Sequence, residues 1–489
     1  MNKRTLSISA VAALAVSAAL AGCGGTTYFA GRTLPPSGLT NRVLIAVQNP
    51  SSLSKGALVF MDAYYDTRSG YNGKPPSYSI SGFSGALPST IQNMPEEELG
   101  FVYCAGDGSF STINYATEGT TGSAVSGLNG LSSSIFGTRN QSYVFAASQA
   151  SHVLTVLDHT NGTSYPLSVP GVYRVSVNPG GSVAMAFVQN SNYVYYPRKL
   201  TAGQALAYSA GPGSWPKAAV DCEPQNAPGW CLFQAQSPDN VDATGNYYGA
   251  PLAFDRPVKA VFSADGGTAY VLSCGPECGG SRAAISPLPV GPMIFVIGQQ
   301  SGTLPTNAAL LSSTIAVPGG ASNALVDSST LYVVGQQPQQ IEGQTLFGGN
   351  LTVVDYSRSP VSVSKPIPIS DGAPGAISRM LLADDNTLWI GMSQCTNGVR
   401  AATGQSYGCL TMFNTANNTV TMLEPYIGDA TGLAAVTGLH KVYTAEGGQV
   451  YIHSTVDGSS IDNQYVTVTG TAYDVAYMDA PSDSDNTVY

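Results

Sequence analysis

One short phrase returns along nearly the whole chain. A strand closes in aromatic or β-branched residues, a turn follows, and the next strand ends on Asp or Asn. The strands ending this way read Leu58-Val59-Phe60-Met61-Asp62, Phe110-Ser111-Thr112-Ile113-Asn114 and Leu154-Thr155-Val156-Leu157-Asp158. Later copies are Leu351-Thr352-Val353-Val354-Asp355 and Leu410-Thr411-Met412-Phe413-Asn414. The strands before them include 42–46, 143–147, 269–273, 331–334 and 388–391. Breaks at Pro170-Gly171, Pro318-Gly319-Gly320, Pro374-Gly375 and Thr431-Gly432 separate the units. Roughly eight units fit, each of somewhat over roughly 50 residues, and four strands per unit at that spacing is a propeller pattern. The expectation is an all-β fold: a single β-propeller of seven or eight four-stranded blades, with eight preferred by unit count. The terminal Asp and Asn read as turn caps rather than ligands, because the position recurs from unit to unit.

The two ends of the chain support closure. Tyr473 to Met478 reads as the first strand of a unit, while the N-terminal unit starts with its second strand near Arg42. Pairing of the N- and C-terminal strands would complete one blade and remove exposed strand edges. Residues 41–489 are therefore expected to form the propeller domain. Composition agrees: charged residues are 10%, against roughly 25% in ordinary soluble domains, while Gly (55) and Tyr (27) are abundant.

Ala269-Tyr270-Val271-Leu272-Ser273 and Leu331-Tyr332-Val333-Val334-Gly335 resemble the Tyr-Val-Thr-Asn repeats of bacterial surface propellers. Phe262-Ser263-Ala264-Asp265-Gly266-Gly267 is similar to their strand–turn lead-in. Those proteins, with the related lactonase-like propellers, are seven-bladed as a rule. The resemblance implies a fold and leaves function open.

The N-terminus resembles the signal segment of a bacterial lipoprotein. Lys3 and Arg4 are followed by the apolar run Leu6 to Ala19 and then by Leu20-Ala21-Gly22-Cys23. The run suits a signal h-region and is too short to span a bilayer. The resemblance implies removal of residues 1–22 and fatty acylation, including palmitate, on Cys23. Residues 23–40, with Gly24-Gly25-Thr26-Thr27 and Pro35-Pro36-Ser37-Gly38, then read as a flexible tether. Gly24, rather than Asp, favours the outer membrane under the enteric sorting rule. No later segment has 18 unbroken apolar residues. The net charge of −10 argues against nucleic acid and against an electrostatic hold on anionic lipid.

Seven further cysteines are Cys104, Cys222, Cys231, Cys274, Cys278, Cys395 and Cys409. In an oxidising compartment six of them suggest sequence-local disulfides, 222–231, 274–278 and 395–409, each stapling a loop, with Cys104 left over. Spacing alone does not prove connectivity. Cys274-Gly-Pro-Glu-Cys278 has no second matching pair or nearby His to complete a zinc site.

Three long insertions, 274–292, 335–350 and 391–409, read as second-to-third strand loops and so share one face. The 200–250 insertion, with Trp215 and Trp230, falls between third and fourth strands and so on the opposite face. A plain scaffold with loops built up on one side is a common form of binding surface.

Catalytic signals are sparse. His152 and His159 flank a strand and read as turn residues, His440 precedes a strand and His453 ends one. Glu96-Glu97-Glu98 reads as a solvated turn, since three consecutive acids do not face one substrate. Asp479, Asp483 and Asp485 lack the Gly and Glu of a calcium loop. The leading expectation is a lipid-anchored, non-catalytic envelope or surface propeller, without cofactor or metal. It would bind a protein, polymer or envelope component through the looped face. The alternative is a propeller hydrolase or lyase, lactonase-like. His, Glu or Asp converging around the channel would favour the enzyme; Ser, Thr and apolar residues there would favour binding.

Overall fold

The computed structural model describes residue 32 and residues 34–482. Excepted are 67–68, 71–73, 129–131, 133, 139–141, 217–218, 226–228, 236–250, 291–313, 342, 371–375, 394–408, 424–427 and 462–465. The chain is an all-β propeller of eight blades, and its one α-helix among the described residues is Ala202–Tyr208. No helix of the described residues is long and apolar enough to cross a membrane.

Blade 1 is built from both chain ends. Thr471–Tyr477 lies innermost and pairs with Arg42–Gln48, which pairs with Gly56–Asp62. Tyr78 and Ile80 exchange backbone hydrogen bonds with Phe60 and Leu58 and form the outer edge. Blades 2 and 3 are four-stranded meanders that begin with the inner strands Pro88–Met94 and Ser134–Gly137. Blade 4 begins with Val172–Val177 and adds a fifth strand. Blades 5 to 8 begin with Pro257–Phe262, Asn323–Asp327, Ala376–Ala383 and Ala430–Val436. The outer edge of blade 8 is reduced to bridges from Ser460 and Val466.

The apolar strand runs have a simple cause. Side chains alternate between the two faces of a strand, and each blade is covered on both faces by its neighbours. On Arg42–Gln48, Val43, Ile45 and Val47 pack against blade 8, while Leu44 and Ala46 pack against blade 2. The same division repeats at all eight interfaces between blades. Little strand surface is left for charge. The Asp and Asn that end third strands cap the following turns, as expected: Asp62 accepts from Tyr64 N at 2.9 Å, Asp158 from Thr160 N at 3.1 Å and Asp355 from Ser357 N at 2.9 Å.

Ring closure is fastened by charge as well as by strand pairing. Asp479 accepts from Arg42 Nη2 at 2.6 Å and Nε at 3.0 Å, and Arg42 Nη1 bonds Glu118 at 2.9 Å. Arg42 is only 2% exposed. Ser37 donates from its backbone to Glu118 at 2.9 Å and Arg32 lies 3.8 Å from Glu98. The expected 23–40 tether thus reaches the body by Arg32, and its last residues pack on it.

Candidate functional site

In a four-stranded meander the second-to-third connections share one end of the propeller with the links between blades; the other turns lie at the opposite end. Inner strands therefore start at the looped face. Six of the eight slip register just after that start. The pairing skips Ser89, Tyr173, Val258, Ser378, Thr431 and Tyr473. A bulge sets two residues against one and re-aims the side chains beside it. The residues after the bulges are Thr90, Arg174, Lys259, Arg379, Gly432 and Asp474; with Asn323 of blade 6 they stand near the start of the innermost strands, which places them at the looped-end mouth of the axis those strands surround.

These side chains reach from blade to blade. Arg174 Nη1 of blade 4 approaches Val258 O of blade 5 at 3.5 Å and Ser322 O beside blade 6 at 3.3 Å. Lys259 Nζ donates to Asn323 Oδ1 at 2.7 Å. Arg379 of blade 7 bonds Thr431 O at 3.3 Å in blade 8 and Asp474 at 3.0 Å in blade 1. Asp474 in turn accepts from Ile91 N of blade 2 at 2.8 Å, and Gln92 Nε2 donates to Gly137 O of blade 3 at 2.9 Å. Gly432 fits this belt because a Cβ there would sit 2.7 Å from Asp474 Oδ1.

The charges are unevenly matched. Arg379 has Asp474, which is 3% exposed. Arg174 and Lys259 form no ion pair among the described residues. Burial, then the like charges of Arg174 and Arg379, lower the Lys259 ammonium to about 7. The stapled loop supplies one more group at this end. Cys274–Cys278 is a disulfide that spans the turn Gly275–Cys278 between the second and third strands of blade 5. Its Glu277 accepts from Gln336 N at 3.0 Å, and burial raises its pKa while that bond and Arg174 oppose the rise. Gly275 starts the turn at φ +76°, a left-handed conformation that favours glycine.

Several sequence expectations are sharpened or corrected here. The 274–292 stretch is a loop only over 275–282, because Ala283–Pro289 is the third strand of blade 5. The 335–350 stretch is not a loop: Thr330–Ile341 and Gln344–Asp355 stay paired to their tip, making a projecting hairpin. The 391–409 connection falls mostly outside the described residues, as does Cys395; Cys409 is disulfide-bonded. Cys222–Cys231 is a disulfide, but a cross-strand one inside blade 4, where it ties the fifth strand Ala219–Glu223 to Trp230–Gln234. Cys104 is a buried free thiol, raised to about 12 by burial. Cys23, Asp483 and Asp485 lie outside the described residues. Asp479 belongs to the closure clamp, and Glu96 and Glu97 lie in a tight turn.

The ring residues were missed from sequence, although a signal exists. Each of Val-Tyr-Arg-Val-Ser-Val, Pro-Val-Lys-Ala-Val-Phe and Ala-Tyr-Asp-Val-Ala-Tyr sets one charged residue early in a buried strand. Elsewhere, two surface depressions of about 350 and 490 Å³ lie on the outer parts of blades 2 and 5. In the second, Asp255 is committed to Ser281 N at 2.8 Å and Arg282 N at 2.9 Å. Among the described residues no three His, Cys, Asp or Glu side chains gather as a metal site would require.

No family model matches the chain, and no curated protein matches it. Solved structures do. The periplasmic gluconolactonase of Pseudomonas aeruginosa is 14% identical, covers 89% of this chain and 98% of its own, and has a TM-score of 0.43. A dihydro-heme d1 dehydrogenase is 11% identical, with coverage of 90% and 75% and a TM-score of 0.47. Kuenenia stuttgartiensis hydrazine synthase is 13% identical, with coverage of 79% and 99% and a TM-score of 0.45. Likeness at these identities concerns the fold alone.

Proposed function

We propose that this is a cell-envelope propeller, held to a membrane by lipid on Cys23, that binds a partner at its looped face without converting it. The observation that carries the reading is a convergence at one end of the molecule. The mouth residues Arg174, Lys259 and Asn323, the stapled loop of Glu277 and the projecting 330–355 hairpin meet there. Among the described connections at this end the hairpin and the stapled loop stand out, and binding residues concentrate on such connections. The disulfides suit an oxidising compartment.

The test compares full-length protein with a variant whose hairpin is cut back by removing 337–348. Both are offered protein, polysaccharide and peptidoglycan fractions of the envelope. Retention of one fraction by the intact protein, and its loss from the variant, is expected. The same preparations are given glucono-1,5-lactone, because the alternative is a lactonase-like hydrolase. Lactone opening above the spontaneous rate, abolished by Lys259→Gln, would replace the binding reading with the enzymatic one.

A further inference from the structure

We propose that the channel mouth takes a small oxyanion, a carboxylate or phosphate group of the ligand, between the Arg174 guanidinium and the Lys259 ammonium. The inference rests on the looped face being the binding face. The chain carries 20 basic against 30 acidic residues, yet three cations from three different blades are gathered around one channel mouth. Among the described residues, Arg379 alone of the three has a carboxylate within ion-pair distance. Placing like charges together in a partly dry site costs free energy that a bound anion would offset.

Geometry narrows the ligand class. Arg174 is steered by two backbone carbonyls from neighbouring blades and Lys259 by the Asn323 carboxamide, so both head groups are oriented before any ligand arrives. A guanidinium fork and an ammonium are donors only, and their complement is an oxygen anion. Glu277 and Asp474 set the limit on size and charge. Glu277 stands on the Arg174 side, with its carboxylate on Gln336 N, and Asp474 is held by Arg379. A single anionic group would meet the two cations, whereas a polyanionic strand would also meet both carboxylates.

Proton linkage follows from the same arrangement. The groups facing Lys259 are Arg174 from blade 4, Asn323 from blade 6 and Arg379 from blade 7; Glu277 on the stapled loop acts on Arg174, and Asp474 in blade 1 is paired with Arg379. An anion beside the amine favours its protonated form. Affinity is then greatest below the amine's free pKa of about 7 and falls above it by at most about tenfold per pH unit.

The probes are succinate, inorganic phosphate and neutral succinamide, titrated calorimetrically into the full-length protein. Saturable binding of succinate or phosphate, with no binding of succinamide, is expected. Lys259→Gln and Arg174→Gln should each weaken it at least about tenfold, and Lys259→Arg by less than about threefold. Between pH 6.5 and 8.5, where succinate stays a dianion, wild-type affinity should fall and that of Lys259→Arg should stay level. The wild-type arms with succinamide and pH need no variant and hold if a substitution fails to fold. Equal binding of succinamide, no anion binding at millimolar concentration, or unchanged affinity in both Gln variants would overturn the proposal. Retention of an envelope fraction by the looped face, without anion binding, would sink this inference alone and leave the binding reading standing.

Discussion

Glu446 and His453 face each other across 4.0 Å in the interface between blades 7 and 8, and both are almost fully buried. Neither Glu446 Oε2 nor either ring nitrogen of His453 has a hydrogen-bond partner among the described residues. Burial raises Glu446 from 4.5 to about 8 and lowers His453 from 6.5 to about 4, so both are neutral in the fold near pH 6. A raised carboxyl contributes stability fully below its unfolded pKa and loses it as pH rises through the folded one. A lowered imidazole contributes above its unfolded pKa and loses it as pH falls. The two effects leave stability highest between pH 4.5 and 6.5, with a decline above that of up to about 1.4 kcal/mol per pH unit from Glu446. Glu446→Gln should remove most of the decline between pH 6.5 and 8 when unfolding is followed in denaturant. An unchanged slope in that variant would show that Glu446 ionises in the fold.

The two disulfides act on different kinds of element. Cys222–Cys231 ties an added strand to the edge of blade 4, next to Trp230, which is wholly buried against Tyr143 and Phe145. Cys274–Cys278 closes a turn of sequence separation 4 at the channel mouth. By chain entropy these short loops are worth about 3 and 2 kcal/mol or less, small beside eight apolar interfaces. Replacing Cys274 and Cys278 by Ser should leave the thermal midpoint nearly unmoved and weaken partner binding at the looped face, because the stapled loop loses its fixed shape. Replacing Cys222 and Cys231 should lower the midpoint slightly and leave that binding intact. Calorimetry with a binding assay separates the two, and the reverse pattern would show that the 274–278 staple supports the fold rather than the site.

Closure makes a ring out of blades that none of these strands could form alone. Because one blade joins Thr471–Tyr477 to Arg42–Gln48, the Arg42–Asp479–Glu118 clamp holds the ends together. Asp479→Ala removes three charge-assisted hydrogen bonds from Arg42 but leaves Glu118 beside its guanidinium, so it should cost about 2–3 kcal/mol; urea denaturation measures this, and a loss below about 1 kcal/mol would mean that strand pairing alone closes the ring. The clamp also marks one end of the molecule. Arg32, Ser37 and Glu118 lie at the end opposite the channel mouth. The lipid proposed on Cys23 would therefore leave the mouth pointing away from the membrane. A fluorophore at Ser281→Cys should then escape quenching by spin-labelled lipid in vesicles, and one at Val456→Cys, on the other end, should be quenched more. Equal quenching would contradict this orientation.

The sequence by itself determined the blades, because a strand covered on both faces must be apolar at consecutive positions, and that pattern is local. Phe110–Asn114, Leu154–Asp158 and Leu410–Asn414 are legible for this reason, and so are their turn-capping Asp and Asn. The split of blade 1 between the two chain ends was legible as well, since an unpaired first strand demands a partner. The 335–350 hairpin was not, because Gly, Gln and Pro residues there favour no strand until its neighbour pairs with them. The mouth was hidden more deeply. Arg174 and Lys259 each look like a stray charge in an apolar strand. Their common destination depends on a bulge in each inner strand and on contacts between residues 64 and 84 positions apart. Only closing the ring brings such strands to one axis, so tertiary structure alone decided where the charges meet.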